Sequence, residues 1–189
     1  MTLFDLLFLV VFLATLIALI VAAYKSLRGR IAQAGRVLVG VVLFWAIYLC
    51  VVIAVSLSTP RRVIAMGEDR CFDDWCIAVE GVSGGSGKLS ANLRVSSVAK
   101  RIQQGAPDTF VYLEDVDGKR YPSRPTGDQP SFATRIGPGE SFKTVREFGV
   151  PEGVRIAGLV VRHGSTGPGA VVIGDDSALF HKPAIVKIR

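Results

Sequence analysis

The sequence predicts a two-helix transmembrane hairpin followed by an all-β domain with the architecture of an antiparallel β-sandwich. Three observations support this fold class. Residues Val37–Ser58 form a run of 22 residues without a charge, and Leu6–Tyr24 form another of 19 residues. Beyond residue 60, about seven short segments with strand-like patterns follow at regular spacing, and none has a helical period.

The run Val37–Ser58 is long enough to cross a bilayer. A helix rises 1.5 Å per residue, so this run covers about 33 Å, against a hydrocarbon core of about 30 Å. A buried helix of a soluble domain is the alternative, but it rarely stays uncharged over this length. We expect Thr59-Pro60 to end the helix, because proline lacks an N–H and restricts the residue before it.

The run Leu6–Tyr24 is either a first membrane span or a cleaved signal peptide. A signal peptide needs a basic segment before its apolar stretch and small residues at the cleavage site. No Lys or Arg precedes Leu6, and Ala22-Ala23-Tyr24-Lys25 is a poor cleavage sequence. We therefore expect a retained span, with a hairpin domain over residues 1–60 (spans 6–24 and 37–58) and an outer β domain over residues 61–189.

The link between the spans, residues 25–36, predicts the orientation. It carries four basic residues and no acid: Lys25, Arg28, Arg30 and Arg36. Basic loops stay in the cytoplasm, so the protein is expected in the cell (inner) membrane as a multi-pass protein with its C-terminal domain extracytoplasmic. Three basic residues also follow the second span: Arg61, Arg62 and Arg70. The inverted orientation is therefore the alternative. Because much of the net charge of +6 is this topology signal, nucleic-acid binding is not expected.

Cys71 and Cys76 are predicted to form a disulfide, since the outer domain faces an oxidising compartment in this topology. The spacing does not fit a C-x-x-C redox motif, and no second pair of ligands suggests zinc. In the inverted topology the two thiols would be free.

Strand patterns cover most of the outer domain. Residues Leu89–Ser96 alternate apolar and polar, as in a half-buried strand. Further strands are predicted at Thr109–Leu113, Lys119–Pro122, Ser141–Phe148, Val154–Arg162, Ala170–Ile173 and Ala184–Ile188. Two connections are expected to be loops: the glycine-serine stretch Gly81–Lys88, which departs from the phosphate-binding pattern at Val82 and Leu89, and the proline-rich stretch Pro122–Pro138.

Several turn motifs resemble those of a known family. Leu113–Tyr121 contains D-x-x-G-x-x-Y, Ile136–Phe142 contains P-G-E, and Phe148–Pro151 reads F-x-V-P. Over residues 90–163 the chain is similar to a bacterial family of telokin-like, immunoglobulin-fold extracytoplasmic domains of unknown function. The resemblance implies an immunoglobulin-like β-sandwich outside the membrane and supplies no catalytic residues. Two spans in place of a lipoprotein signal, and the extension Gly174–Pro183, depart from that pattern.

No catalytic, cofactor or metal site is predicted. The acidic groups Asp73/Asp74, Glu114/Asp115/Asp117 and Asp175/Asp176 match no calcium-loop spacing and are typical turn formers. The sequence contains no nucleophile motif that His163 or His181 could activate as a base. We therefore expect no enzyme activity.

Two hypotheses follow for the function. The first is a membrane-anchored interaction module that presents loops or an edge strand to an envelope protein or to another copy of the chain. The second is a small-ligand or ion-binding sensor, with a pocket lined by the Pro122–Pro138 loop and Asp175/Asp176. An unpaired edge strand or apolar patch favours the first hypothesis, whereas a concave pocket with convergent polar groups favours the second.

Overall fold

The computed structural model describes residues 3–72, 74–85, 87–164, 168–175 and 178–188. They form two compact units: Met1–Pro60 with Thr166–Lys182, and Arg61–Ser165 with Pro183–Arg189. The expected division was a single boundary near residue 60. The structure instead assigns the segment around residues 168–182 to the unit that contains the helices.

The first unit contains a helical hairpin. Helix α1 spans Leu3–Leu27 and helix α2 spans Ile31–Ser58, so the predicted spans lie within longer helices joined by residues 28–30. Both helices are long and apolar enough to cross a membrane, and most of their large apolar side chains are exposed. Trp45 Nε1 of α2 donates a hydrogen bond to Thr15 Oγ1 of α1 at 3.0 Å. Thr59 leaves the helix in an extended conformation, as expected before a proline.

Residues 168–182 contain no strand among those described. A strand was predicted at Ala170–Ile173, but Pro168–Val171 form a short 3-10 helix followed by a turn. The N–H of Val172 donates to the carbonyl of Gly169 at 3.1 Å, so this backbone bonds locally rather than to a neighbouring strand. The apolar run was therefore wrongly interpreted as a strand, because periodicity cannot distinguish such short segments.

Within the described residues, the second unit is one curled sheet of nine strands. The strands are β1 (Val63–Ile64), β2 (Arg70–Phe72), β3 (Trp75–Gly85), β4 (Gly87–Ser97), β5 (Thr109–Asp115), β6 (Arg120–Pro125), β7 (Ser141–Val150), β8 (Ile156–His163) and β9 (Ile185–Lys187). Their order in the sheet is β1-β9-β8-β5-β6-β7-β4-β3-β2.

Strand β6 joins the two halves of this sheet. Its first half pairs with β5 (Tyr121 opposite Leu113), and its second half pairs with β7 (Ser123 opposite Phe148). The inner faces of both halves contribute to one apolar core, in which Leu93, Phe148 and Leu159 are fully buried. The all-β prediction for this unit is thus confirmed at the level of a curled sheet around a main apolar core.

Three details differ from the sequence prediction. Strands β1 and β9 pair in parallel, so the sheet is mixed rather than wholly antiparallel. The stretch Gly81–Lys88, expected to be a flexible loop, extends the β3–β4 hairpin, with Gly85 opposite Lys88. Strand β6 continues to Pro125, so the proline-rich stretch from Pro122 begins as a strand. At these positions, backbone hydrogen bonding to a neighbouring strand outweighs the tendency of glycine and proline to disfavour strands.

The turn motifs have clear structural roles. Asp115 Oδ1 accepts hydrogen bonds from the N–H groups of Asp117 and Lys119 at 3.0 and 2.8 Å, and Oδ2 accepts one from the Tyr121 hydroxyl at 3.0 Å. Burial raises the pKa of Asp115, but these hydrogen bonds outweigh it, and the net effect is a lowered pKa. In the P-G-E turn, Glu140 Oε2 accepts the N–H of Gly137 at 2.7 Å. Both motifs therefore stabilise turns.

Candidate ligand-binding cleft

An open cleft of about 460 Å³ lies where β5 and β6 diverge. Pairing between these strands begins at Tyr112 and Pro122, so within the described residues the preceding part of β5, Thr109–Val111, pairs with β8 alone. Beyond Pro122, β6 turns away to pair with β7. The divergence leaves a gap between the two half-sheets, and that gap is the cleft. Its apolar wall consists of Pro107, Phe110, Val111, Pro122, Pro125 and Phe132.

Arg146 of β7 is the charged residue of this cleft. Its side chain belongs to the inward-facing row of β7, between the buried residues Thr144 and Phe148, and only 5% of the residue is exposed. Nη2 donates to the carbonyl oxygen of Pro130 at 3.1 Å, and the guanidinium lies 4.4 Å from the centroid of the Phe132 ring. Burial lowers the pKa of Arg146. The cleft therefore contains a cation that has largely lost its hydration.

No carboxylate neutralises Arg146 within the part of the chain that the structure describes. Ion pairs among the described residues join Arg61, Arg62, Arg94, Lys88 and Lys143 to acidic residues, and none of these pairs includes Arg146. Buried arginines are normally paired with an acid, because a buried charge without compensation is costly. A guanidinium has five N–H donors, and a carbonyl and a ring face satisfy only part of this capacity. Arg146 is thus suited to an anion that enters the cleft.

One hydroxyl group of β5 also belongs to the inward-facing side of the cleft. Thr109 is on the same face of β5 as the core residue Val111, and its buried hydroxyl oxygen has no hydrogen-bond partner among the described residues. Tyr112 is on the opposite face, where it packs with Val160 and Ile185. Buried hydroxyls are normally hydrogen-bonded, so Thr109 provides a further polar group for a ligand.

The loop that covers Arg146 is held by side-chain hydrogen bonds to β7. The Thr144 hydroxyl donates to the carbonyl of Pro130 at 2.8 Å, and Gln129 Oε1 accepts the N–H of Val145 at 3.2 Å. The N–H of Ala106 donates to the carbonyl of Phe132 at 2.8 Å. Because the loop is attached on both sides, the Phe132 ring and the Pro130 carbonyl position the guanidinium.

The arrangement can bind a carboxylate. A planar guanidinium presents parallel N–H donors that match the two oxygens of a carboxylate, and such pairs are strong where water is excluded. The apolar wall can receive the rest of a small molecule, and the cleft volume lies within the usual range of about 300–1,000 Å³ for ligand sites.

The residues singled out from the sequence lie outside this cleft. Cys71 and Cys76 are opposite each other on β2 and β3 and form a disulfide, which joins the short edge strand β2 to the sheet. Lys25 lies in the last turn of α1, Arg28 and Arg30 lie in the connection, and Arg36 lies in α2. The four basic residues therefore remain near one end of the hairpin.

The acidic groups and histidines do not converge. Glu114 pairs with Arg61, and Asp115 organises its turn. His163 packs against the rings of Phe72 and Trp75, at centroid distances of 5.7 and 5.0 Å. Within the described ranges no three His, Cys, Asp or Glu side chains are grouped to hold a metal. Asp73 and Asp176 lie outside the described residues.

Sequence reasoning missed Arg146, although a signal for it was present. Phe142, Thr144, Arg146 and Phe148 alternate along β7, so a period of two places the arginine on the apolar face. An arginine in a core-facing row is unusual, and this position could have been selected as a candidate site. The prediction that the Pro122–Pro138 loop lines a pocket does agree with the structure, whereas Asp175 belongs to the other unit.

Comparisons with known proteins give no family assignment. No family model matches the chain, and no curated protein matches its sequence. Two solved structures are similar in fold: a secreted protein of Mycobacterium tuberculosis, MPT63 (14% identity, 57% of this chain and 93% of that chain, TM-score 0.44), and an uncharacterized beta-sandwich protein of Clostridium difficile 630 (13% identity, 58% and 91%, TM-score 0.40). The telokin-like resemblance accordingly stays a prediction.

Proposed function

We propose that this protein is a membrane-anchored, extracytoplasmic binding protein that takes a small carboxylate-bearing ligand in the cleft at Arg146. The observation that carries the proposal is a buried arginine without an acidic partner among the described residues, at the base of an open cleft. The proposed role is binding and not catalysis, and the proposed contacts are the ligand and the lipid bilayer, with no nucleic acid involved. The bacterial, immunoglobulin-like assignment rests on the turn motifs alone.

The membrane anchor is supported by contacts within the hairpin. Val52 of α2 is fully buried, and Phe8 and Val11 of α1 belong to the same apolar cluster as Tyr48 and Val52. Removal of α1 as a signal peptide would expose this cluster, which favours retention of both helices. Basic residues near the connection support a cytoplasmic loop, and the disulfide suits an oxidising compartment on the opposite side.

The geometry favours a ligand site over an interaction module that works by strand addition. The edge strands of the sheet are β1 with two residues and β2 with three, and they present little backbone to a partner. The cleft, by contrast, combines an apolar wall with Arg146 and the Thr109 hydroxyl. A concave site with a few convergent polar groups is the usual form of a small-molecule site.

The test is binding of benzoate and succinate to the full chain in lipid nanodiscs, measured by saturation-transfer NMR at millimolar concentration. Benzamide and succinamide serve as neutral controls of the same shape. We expect signals from the acids that disappear in Arg146→Gln and persist in Arg155→Gln, a matched loss of charge at an exposed arginine. The proposal is wrong if the acids give no signal, if the amides bind equally well, or if Arg146→Gln still binds the acids.

A further inference from the structure

We propose that the segment comprising residues 168–175 and 178–182 enters the outer half of the bilayer beside the hairpin and contacts lipid acyl chains. This inference rests on the proposed function in one respect, namely that α1 and α2 cross the membrane. The segment would be a third membrane-inserted element in addition to α1 and α2. The two apolar runs of the N-terminal region do not indicate it.

The segment packs on both helices. Ala178 is buried in one cluster with Val11 of α1 and with Tyr48 and Val52 of α2, and Ile173 packs against that cluster. The Tyr48 hydroxyl donates to the carbonyl oxygen of Val171 at 2.9 Å. An apolar cluster and a side-chain hydrogen bond thus attach the segment to the hairpin.

The attachment lies well below the outer ends of the helices. Tyr48 precedes the end of α2 at Ser58 by ten residues, which corresponds to about 15 Å along the helix axis. Val11 follows Asp5, the nearest charge of α1, by six residues, or about 9 Å. Because the uncharged runs must cover a hydrocarbon core of about 30 Å, these contacts lie between the outer surface and the middle of the bilayer.

The exposed side chains of the segment suit lipid. Leu179 and Phe180 are 40% and 66% exposed, and Phe180 has a φ of 63°, in the left-handed region that bulky residues rarely adopt. Contact with acyl chains would remove this large exposed ring from water. His181 and Lys182 follow directly, and such polar residues are typical where a chain returns to the membrane surface.

The backbone of the segment is also compatible with this environment. The N–H groups of Ala178, Leu179 and His181 donate to the carbonyls of Asp175, Ala170 and Ala178 at 2.9–3.0 Å. Non-helical backbone is tolerated at membrane depth where its polar groups are bonded and protein covers it. The bonded N–H groups meet the first condition, and Ala178, which is buried against the hairpin, meets the second.

The experiment is spin-label accessibility in vesicles of phosphatidylcholine and phosphatidylglycerol. Single labels are placed on the full chain in a Cys50→Ser background: Phe180→Cys for the segment, Ile17→Cys for the exposed face of α1, and Val116→Cys for the β domain. We expect the label at Phe180 to collide more with oxygen than with a water-soluble nickel chelate, as at Ile17, and Val116 to show the reverse. Leu179→Cys is a second reporter in case the Phe180 variant does not fold.

The outcomes separate the two ideas. If the labels at residues 179 and 180 are as accessible to nickel as the label at Val116, while Ile17 is in lipid, the inference is overturned and the anchor stands. If the label at Ile17 is itself accessible to nickel, α1 does not cross the membrane. The proposed membrane anchor is then refuted, and the inference with it. Oxygen-rich, nickel-poor signals at Ile17 and at either segment position support the inference.

Discussion

Replacing Arg146 with methionine should stabilise the β domain while abolishing carboxylate binding. Methionine has a similar length and no charge, so it can fill the space of the arginine stem beneath Phe132. A residue that costs stability in the free protein but is required for binding is expected at a functional site. A structural arginine would give the opposite result, since its removal would destabilise the fold.

The magnitude follows from the contacts of Arg146. Burying the guanidinium without a carboxylate costs several kcal/mol even after relaxation. Against this stand one charged hydrogen bond to the Pro130 carbonyl, about 1.5–3 kcal/mol, and the contact with the Phe132 ring, about 1–2 kcal/mol. The Pro130 carbonyl keeps its hydrogen bond from Thr144 after the substitution. We therefore expect Arg146→Met to raise the free energy of unfolding by about 1 kcal/mol.

The assay is urea unfolding of the full chain in detergent, followed by the fluorescence of Trp75 in a Trp45→Phe background. Trp75 is 3% exposed in the core of the β domain, so it reports the unfolding of that unit. Thr144→Val is the control, because loss of its hydrogen bond should destabilise the domain by about 1 kcal/mol. A loss of 1 kcal/mol or more in Arg146→Met, similar to the control, would refute a ligand-binding role for the arginine.

Four further predictions concern the β domain and the side of the membrane on which it lies. The lowered pKa of Asp115 means that its ionised form stabilises the fold above the unfolded pKa of about 3.9, and that this contribution disappears as the pH falls through the lower, folded pKa. Asp115→Asn should therefore be less stable than the wild type at pH 7, and the difference should narrow in urea titrations as the pH falls below about 3.9; a difference that does not change with pH would contradict this. Removing the Cys71–Cys76 bond by double serine substitution should cost about 2 kcal/mol, because the closed loop is short, and unchanged urea midpoints would argue against the bond. A membrane-impermeant thiol reagent should label these cysteines in intact cells only after reduction, whereas labelling that needs cell opening and no reduction would indicate the inverted topology. Phe148→Ala should cost about 3–5 kcal/mol as a cavity in the core, and a loss below 1 kcal/mol would contradict its position there.

Local patterns were sufficient for much of the fold. The uncharged runs predicted both helices, and Thr59-Pro60 marked the end of α2 within a residue. Period-two alternation predicted β4, because a sheet with one buried face imposes that period directly, and runs of strand-forming residues between turns predicted β5, β7 and β8. In each case the information lies within a single element and its neighbours in sequence.

Long-range pairing could not be predicted in the same way. The parallel pairing of β1 with β9 joins residues 63–64 to residues 185–186, and no local pattern specifies such a partner. Strand β6 pairs first with β5 and then with β7, and this change of partner creates the cleft. In the sequence of β6, two prolines are the only sign that its pairing is irregular. The packing of residues 168–182 on the hairpin likewise depends on contacts more than 100 residues apart, such as Tyr48 with Val171.

The turn motifs indicate the fold, whereas the cleft residues indicate binding. The resemblance rests on the turn motifs, so it implies a fold and no ligand. Asp115 and Tyr121 hydrogen-bond to each other within one turn, and Glu140 bonds the turn before β7, so these residues are needed for the fold whatever the protein binds. Arg146 lies between the P-G-E and F-x-V-P motifs and belongs to neither. A chain with the same turns and an aliphatic residue at the position of Arg146 could fold in the same way and would lack the anion site. The identity of this one core-facing residue, rather than the turn pattern, is therefore the feature that should separate carboxylate binders from other domains with similar turns.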